Sequence, residues 1–414
     1  MAVQKLNIEA FIKLANEHPV IDVRSPDEFE HAHIPGAYSL PLFTNEERKV
    51  VGTIYKQESR ENAIKKGLEY FGVKMRRMVE EVEKLLTGDG CQMTEGKELR
   101  DDRGQGAAGQ GVNDGKNTSS KTVLVHCWRG GMRSAGVAWL LDLYGFKVYT
   151  LVGGYKVFRQ WVLKQFEKEY PFKILGGFTG SGKTMVLAEM KKNGVVVIDL
   201  ENLAHHKGSA FGGINMPVQP TQEMFENKLA VELGRADDRS GMTDDGKSDE
   251  RNHSNSASPL SSVNIQSSTF KTSSTAPIWL EDESQRIGNV NIPMPLWRQI
   301  RTQPVVFLNI PFEERLKYIL EDYGKGDRGK LVDAVNRIKK RLGGLETKTA
   351  INFLMEDNLT ESFRVLLQYY DKQYLKGLQS RENVKDLVTE LTSEKVDAAA
   401  NAEKILNTTK ELNA

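Results

Sequence analysis

The stretch TVLVHCWRGGMRS, Thr122 to Ser134, constrains the fold more than any other part of the chain. Its apolar, β-branched start, Val123 to Val125, has the length of a buried strand. The chain then breaks at His126-Cys127 into a loop carrying Gly130 and Gly131, and Ala135 to Tyr144 follows with a helical pattern. A strand, a glycine-rich loop and a helix N-terminus together point backbone N–H groups into one concavity, which binds anions. A cysteine at its base is expected to have a stabilised thiolate, with its pKa pulled from about 8.5 toward roughly 3.5–7.5. Arg129 and Arg133 add positive charge and a planar fork for an oxyanion. Cys127 is therefore the candidate nucleophile, and Arg129, Gly130, Gly131 and Arg133 form its candidate anion loop. The plain alternative is a buried structural cysteine beside two surface arginines.

A second anion cradle lies downstream. Gly177-x4-Gly182-Lys183-Thr184, with Gly180 inside it, is a complete Walker A pattern. It stands between a strand pattern at Ile174 to Gly177 and a helix pattern from Met185 to Lys192. In that context its N–H groups cradle a di- or triphosphate, Lys183 neutralises it, and Thr184 can hold Mg²⁺. Further strands are predicted at Val195 to Leu200, Ile278 to Leu280 and Val305 to Ile310, an alternation that gives a parallel α/β sheet. Acidic residues end two of them, and Asp199, Glu281 and Asp282 are the candidate Walker B carboxylates. No dedicated metal ligands and no tightly bound cofactor are expected.

Two such cradles in 414 residues imply two domains. The expected division is 7–165 for the first and 166–380 for the second, with 381–414 as a polar, helix-prone tail. Polar low-complexity insertions are expected at about 87–121 and 235–276, because neither can bury enough apolar surface to order itself. The segment 44–57 is expected to be loop-like, with a helix near Gly67 to Met78, and Phe312 to Tyr374 to be helical. Within that last stretch Arg328, Lys330, Arg337, Lys339, Lys340 and Arg341 form a basic cluster, either a solvated face or a nucleic-acid contact. Net charge discriminates nothing, with 57 basic against 56 acidic residues. The only cysteines, Cys91 and Cys127, exclude a disulfide framework or a Cys-based zinc site. No apolar run is long enough to span a membrane, and the N-terminus lacks a signal-peptide pattern, so a cytoplasmic location without a membrane partner is expected.

The segment holding Asp22-Val23-Arg24, Glu28-Phe29 and His33-Ile34-Pro35-Gly36-Ala37, followed later by Cys127, resembles the rhodanese family. That resemblance implies a parallel sheet wrapped by helices, with the cysteine at the end of a central strand. Five residues separate Cys127 from Arg133; ordinary sulfurtransferase rhodaneses have four, and Cys-dependent phosphatases also have five. A wider loop suits a tetrahedral phosphate-like group.

Jointly, Asn45 to Gln57, Cys127 to Ser134, Gly153 to Gln160, Gly177 to Thr184, Asp199 to Gly212, Phe225 to Asn227 and Leu280 to Ser284 resemble the tRNA 2-selenouridine synthase family, a rhodanese domain fused to a P-loop domain with a helical C-terminal part. The resemblance implies a transferase acting on tRNA that carries 2-thiouridine at the wobble position. Selenophosphate would donate selenium, and geranyl diphosphate would first alkylate the sulfur. Phe211, Phe225 and Trp279 are candidates to house the prenyl chain. The rivals are a sulfurtransferase or Cys-dependent phosphatase with a regulatory P-loop domain, a small-molecule kinase, and an RNA-binding adaptor.

Overall fold

A computed structural model describes residues 3–87, 121–240, 276–324 and 326–411. The chain divides into two compact units, Met1–Phe166 with Pro220–Val231, and Glu167–Gln219 with Glu232–Ala414. Most of both expected insertions, and Cys91 with them, lies outside the described residues. Their rims are helical: Thr87 ends one helix, and Arg235 to Ser240 continue another.

The first unit runs β1 (Gln4–Leu6), α1 (Ile8–Ala15), β2 (Val20–Asp22), α2 (Pro26–His31), β3 (Tyr38–Ser39), α3 (Asn45–Gln57), α4 (Arg60–Gly72), α5 (Met75–Thr87), β4 (Thr122–His126), α6 (Met132–Tyr144), β5 (Lys147–Leu151) and α7 (Gly154–Gln165). Its five strands are parallel in the order β1-β5-β4-β2-β3, which puts β4, the strand leading to Cys127, in the middle. Every residue of β4 is buried, as a central parallel strand covered on both faces requires. The segment expected to be loop at 44–57 is instead α3. Thr44 caps it by accepting from the Glu47 N–H, while Glu47 accepts from the Thr44 N–H. None of its residues is fully buried, and of its apolar side chains only Val51 and Ile54 are half-buried, too narrow an apolar stripe to mark a helix.

The second unit runs β6 (Phe172–Gly177), α8 (Lys183–Lys192), α9 (Leu200–Ala204), α10 (Gln222–Ser240, which begins in the first unit's segment), β7 (Ile278–Glu281), β8 (Arg286–Ile287), β9 (Val290–Asn291), α11 (Met294–Arg301), β10 (Val305–Asn309), α12 (Phe312–Tyr323), α13 (Arg328–Leu342), α14 (Gly344–Met355), α15 (Leu359–Gln379), α16 (Val384–Leu387), β11 (Val388–Thr392) and α17 (Ala398–Glu411). The main sheet is parallel in the order β11-β10-β6-β7. Two expectations need correction. Val195 to Leu200 forms only a bridge between Val197 and Trp279, because Asp199 already caps α9 by accepting from the Asn202 N–H. The C-terminal segment is no tail. Val388 to Thr392 pairs in register with Val305 to Asn309, and Leu391, Ala402 and Ile405 share a core with Val186, Leu187 and Met190 of α8. Its polar alternation, VTELT, is that of a half-covered edge strand, which composition alone does not separate from a solvated helix.

Candidate functional site

In the first unit, Cys127 follows β4 and is buried, with Sγ 3.2 Å from Ser134 Oγ. Ser134 Oγ–H in turn donates to the Gly131 carbonyl at 3.1 Å, tying the start of α6 to the loop. The Tyr155 N–H donates to the Cys127 carbonyl at 2.8 Å, and the Lys156 N–H donates to the Trp128 carbonyl at 3.0 Å. The loop is thus pinned from below by the first turn of α7. That approach needs Gly154, which has φ +60°. A Cβ there would sit 2.5 Å from Gly130 N and closer still to the Cys127 carbonyl.

Arg129 is exposed at the rim, beside Gly130 and Gly131. Arg133 departs from the oxyanion role expected of it. One Nη donates to Glu28 Oε2 at 2.9 Å, and Arg48 Nε reaches the same oxygen at 2.8 Å. Burial raises the Glu28 pKa, but Arg133 and Arg48 outweigh it and hold the carboxyl down at about 2. Arg133 therefore braces α2 against the loop through one Nη, and the backbone N–H groups, Arg129 and the remaining Arg133 donors are available to an anion.

A buried polar layer, foreshadowed only by the Asp-Val-Arg pattern, lies beneath the cysteine. Arg24 donates to both oxygens of Asp22 at 2.6–3.0 Å and stacks 3.9 Å over the Tyr155 ring. Tyr155 O–H donates to Glu223 at 2.8 Å, and Asn227 Nδ2 donates to the Tyr155 oxygen at 2.8 Å. His126 Nε2 stands 3.7 Å from Asp22 Oδ2; burial pushes its pKa down, with Asp22 opposing. These residues fix the strand that presents Cys127.

In the second unit, β6 delivers the Walker A loop into α8. Gly177 has φ +153°, and a Cβ there would meet Ser181 Oγ at 2.7 Å and the Leu308 carbonyl at 2.9 Å. Lys183 Nζ folds back to the Gly177 carbonyl at 2.9 Å. Thr184 Oγ1 donates to Glu201 at 2.9 Å. The loop is braced by residues its own sequence does not reveal. Arg315 of α12 donates to the Thr179 carbonyl at 3.0 Å while held by both oxygens of Asp371. Tyr374 of α15 accepts from the Gly177 N–H at 3.1 Å and donates to Asp282 at 2.8 Å.

Of the candidate carboxylates, Asp282 is committed to Tyr374 and Arg381, and Asp199 to the α9 cap. Glu281, the last residue of β7, remains, and Glu201 and Glu283 join it. The three carboxylates each present an oxygen within 4.8 Å of the others. Glu281 is buried, and neither of its oxygens has a well-formed hydrogen bond. Burial first, and then Glu201 and Asp199, push its pKa well above the usual carboxylate range, with the Thr184 hydroxyl only partly opposing. Burial likewise raises Glu201 and Glu283. Three clustered carboxylates beside a P-loop threonine form the oxygen donor set of a hard divalent cation such as Mg²⁺. The orphaned Glu281 oxygens fit that ion.

These groups open on a cavity of about 790 Å³, lined by Gly177, Gly180, Gly182, Lys183, Thr184, Glu201 and Glu283, and also by Phe211, Phe363, Leu366 and Leu367. Of the expected prenyl-chain residues, only Phe211 lines it. Phe225 is buried in the first unit and Trp279 in the sheet core of the second.

Residues 7–69 match the rhodanese-like domain model, and residues 170–245 and 261–405 match the tRNA 2-selenouridine synthase AAA domain model. A tRNA 2-selenouridine synthase of Pseudomonas fluorescens Pf-5 is 30% identical over 87% of this chain and 88% of its own. One of Nitrosomonas eutropha is 29% identical over 88% of this chain and 89% of its own, and one of Hydrogenovibrio crunogenus is 30% identical over 88% and 90%. A solved N-terminal domain of a protein described as ATP/GTP binding, from Clostridium difficile 630, is 31% identical over 39% of this chain and 99% of its own, with a TM-score of 0.29. With over half of its length in the synthase model and relatives that match nearly end to end, the chain belongs to the tRNA 2-selenouridine synthase family.

Proposed function

We propose that this chain replaces the sulfur of wobble 2-thiouridine in tRNA with selenium from selenophosphate, through an S-geranyl intermediate made from geranyl diphosphate. Family membership makes it a tRNA-modifying transferase; the donor, the intermediate and the division of labour are our reading. One observation carries it: the P-loop lines the same cavity as Phe211, Phe363, Leu366 and Leu367. The loop serves the phosphates of any di- or triphosphate, and the apolar wall beside it suits a prenyl chain.

In the first step the thiocarbonyl sulfur attacks C1 of the geranyl group, the C1–O bond breaks, inorganic diphosphate leaves and the N3 proton of the base passes to solvent. Lys183 exchanges its Gly177 carbonyl for the charge that develops on the leaving group. Thr184, Glu201, Glu281 and Glu283 would hold a divalent cation, which when bound screens that same charge. In the second step the Cys127 loop takes up selenophosphate. Water attacks phosphorus and breaks the P–Se bond, giving phosphate and hydrogenselenide at the Cys127 loop. Hydrogenselenide adds at C2, and the geranyl thiolate leaves and takes up the selenium-bound proton. S-alkylation helps because it turns a poor leaving group into a good one. A cytoplasmic location suits such an enzyme, and no helix among the described residues is long and apolar enough to cross a membrane.

The test incubates purified protein with 2-thiouridine tRNA, geranyl diphosphate and selenophosphate, and analyses the nucleosides by mass spectrometry. Geranylated and then selenated uridine are expected. Turnover of thiosulfate or a phosphoester, with the tRNA unchanged, would favour the Cys127-only sulfurtransferase or phosphatase instead.

A further inference from the structure

The basic cluster of α13 takes no part in the chemistry above. The helix carries six basic residues and one acid, Asp333. Two of its earlier members have partners: Arg328 pairs with Asp357, and Arg337 donates to the Asp333 carbonyl. Its C-terminal end differs. Among the described residues, neither Lys339, Lys340 and Arg341 there nor Lys372 and Lys376 on α15 enter an ion pair, whereas Arg364, nearer the start of α15, is paired with Glu313.

Arg341, Lys372 and Lys376 line one groove of about 470 Å³ with Tyr369, Gln368 and Gln379, and Glu346 is its only acid. Tyr369, Lys372, Lys376 and Gln379 recur at three- and four-residue steps, so they form one stripe of α15. The next stripe of the same helix faces the reaction cavity. Tyr370, which packs edge-on against Tyr369 at 5.2 Å, lines that cavity, and Gln373 lines both. The groove therefore adjoins the P-loop cavity within one unit.

We propose that this groove between the end of α13 and α15 is a docking surface for the tRNA substrate. Arg341, Lys372 and Lys376 neutralise backbone phosphates, and Tyr369 offers its ring to an unstacked base. The inference rests on the tRNA-modifying reading above. Cations left without carboxylate partners on a surface are complementary to a polyanion. An aromatic ring flanked by glutamines and lysines adds what single-stranded RNA uses and a plain acidic surface does not: a stacking face and donors for base edges. A loop held there would lie beside the cavity in which the modified base must react.

The test measures dissociation constants for fluorescent 2-thiouridine tRNA by anisotropy across a salt series. The triple variant Arg341→Ala, Lys372→Ala, Lys376→Ala should weaken binding at least tenfold. It should also flatten the slope of log K against log salt by about 2, since each lost single-strand phosphate contact removes roughly 0.7. Tyr369→Ala should weaken binding about 5- to 150-fold, with Tyr369→Phe restoring it, because the ring and not the hydroxyl stacks. In the triple variant and in Tyr369→Phe, melting temperature and affinity for geranyl diphosphate should stay as in the unmodified protein. Tyr369→Ala also loses packing against the helical core, so its binding is compared at a temperature where it remains folded. Wild-type affinity and salt slope in the triple variant would overturn the proposal. So would a variant that keeps tRNA but loses polyglutamate, which would assign the groove to an acidic protein. If the unmodified protein itself binds no tRNA, the tRNA-modifying reading fails, an outcome distinct from failure of the groove.

Discussion

The molecule contains two strand–glycine loop–helix cradles, one in each unit, and they are finished differently. Around Cys127 the charges are matched. Glu28 is bracketed by Arg133 and Arg48, Asp22 by Arg24, and the loop carbonyls are taken by N–H groups of α7. Around Lys183 the carboxylates are unmatched. Glu201, Glu281 and Glu283 crowd together with raised pKa values, while Lys183 is folded onto a carbonyl and Lys207, on the same cavity, is paired with Asp322. The carboxylates of the first cradle need no added cation, as would suit the proposed use of its own cysteine. The second is held short of its electrostatic complement, as suits a loop whose ligand arrives with its own charge and a cation. Similar backbone architecture therefore says where an anion binds, and the neighbouring side chains say what must come with it.

The largest effects should come from removing each loop's central group. Lys183→Ala should slow geranylation of 2-thiouridine tRNA by about 10²–10³, the usual cost of losing a preorganised oxyanion partner. It should still permit selenation of tRNA supplied already geranylated. Cys127→Ala should do the reverse, accumulating geranylated tRNA with no 2-selenouridine. Quantifying both nucleosides by mass spectrometry checks the pair. If both variants stall at the same step, the two loops do not divide the chemistry.

A smaller, more local effect separates glycines that look alike in sequence. Gly154→Ala puts a methyl against the Cys127 carbonyl and Gly130 N at a positive φ, whereas a Cβ at Gly131 meets nothing within 4 Å. Gly154→Ala should therefore displace the loop and lose most selenation while geranylation continues, and Gly131→Ala should be tolerated within a few-fold. Equal losses in the two variants would show that the loop is not pinned through α7.

That pair also marks what the sequence discloses. Both cradles, their strands and the helices after them are local patterns, and Cys127, Lys183 and Thr184 follow from spacing alone. Gly154 is less legible, because its constraint comes from a loop 27 residues earlier in the chain. The same holds for Arg315 and Tyr374, which brace the P-loop from helices far downstream, and for Glu201 and Glu283, which only folding separates from Asp199 and Asp282. The Glu28 contact of Arg133 is not legible, because a guanidinium beside a cysteine looks the same in sequence whether it faces a ligand, Glu28 or both. The edge strand β11 was hidden by its own polarity.

The smallest expected effect is one of pH and cation, and it should have opposite signs in the two units. Glu28 has its pKa depressed to about 2, so its contribution to stability is present above the ordinary value of 4.5 and is lost as pH falls from 4.5 through about 2. Glu281 and Glu283 are raised above 4.5, so the folded state binds their protons more tightly than the unfolded chain does. Stability is then greatest below 4.5 and declines as pH rises through the raised values. Without divalent cation, raising the pH from about 5 to about 8 should leave α2 and the Cys127 loop equally protected and loosen the P-loop and β7. Hydrogen exchange by mass spectrometry resolves the two sets of peptides, once corrected for the intrinsic pH dependence of exchange. Added Mg²⁺ should restore P-loop protection at the higher pH, because it supplies the charge the carboxylates lack. Glu281→Gln should abolish most of both the pH slope and the Mg²⁺ response, since a neutral amide has no proton to lose and is a poor ligand for a hard cation. P-loop peptides whose protection ignores both pH and Mg²⁺ would mean that the carboxylates are already compensated, and the contrast between the two cradles would then lose its electrostatic basis.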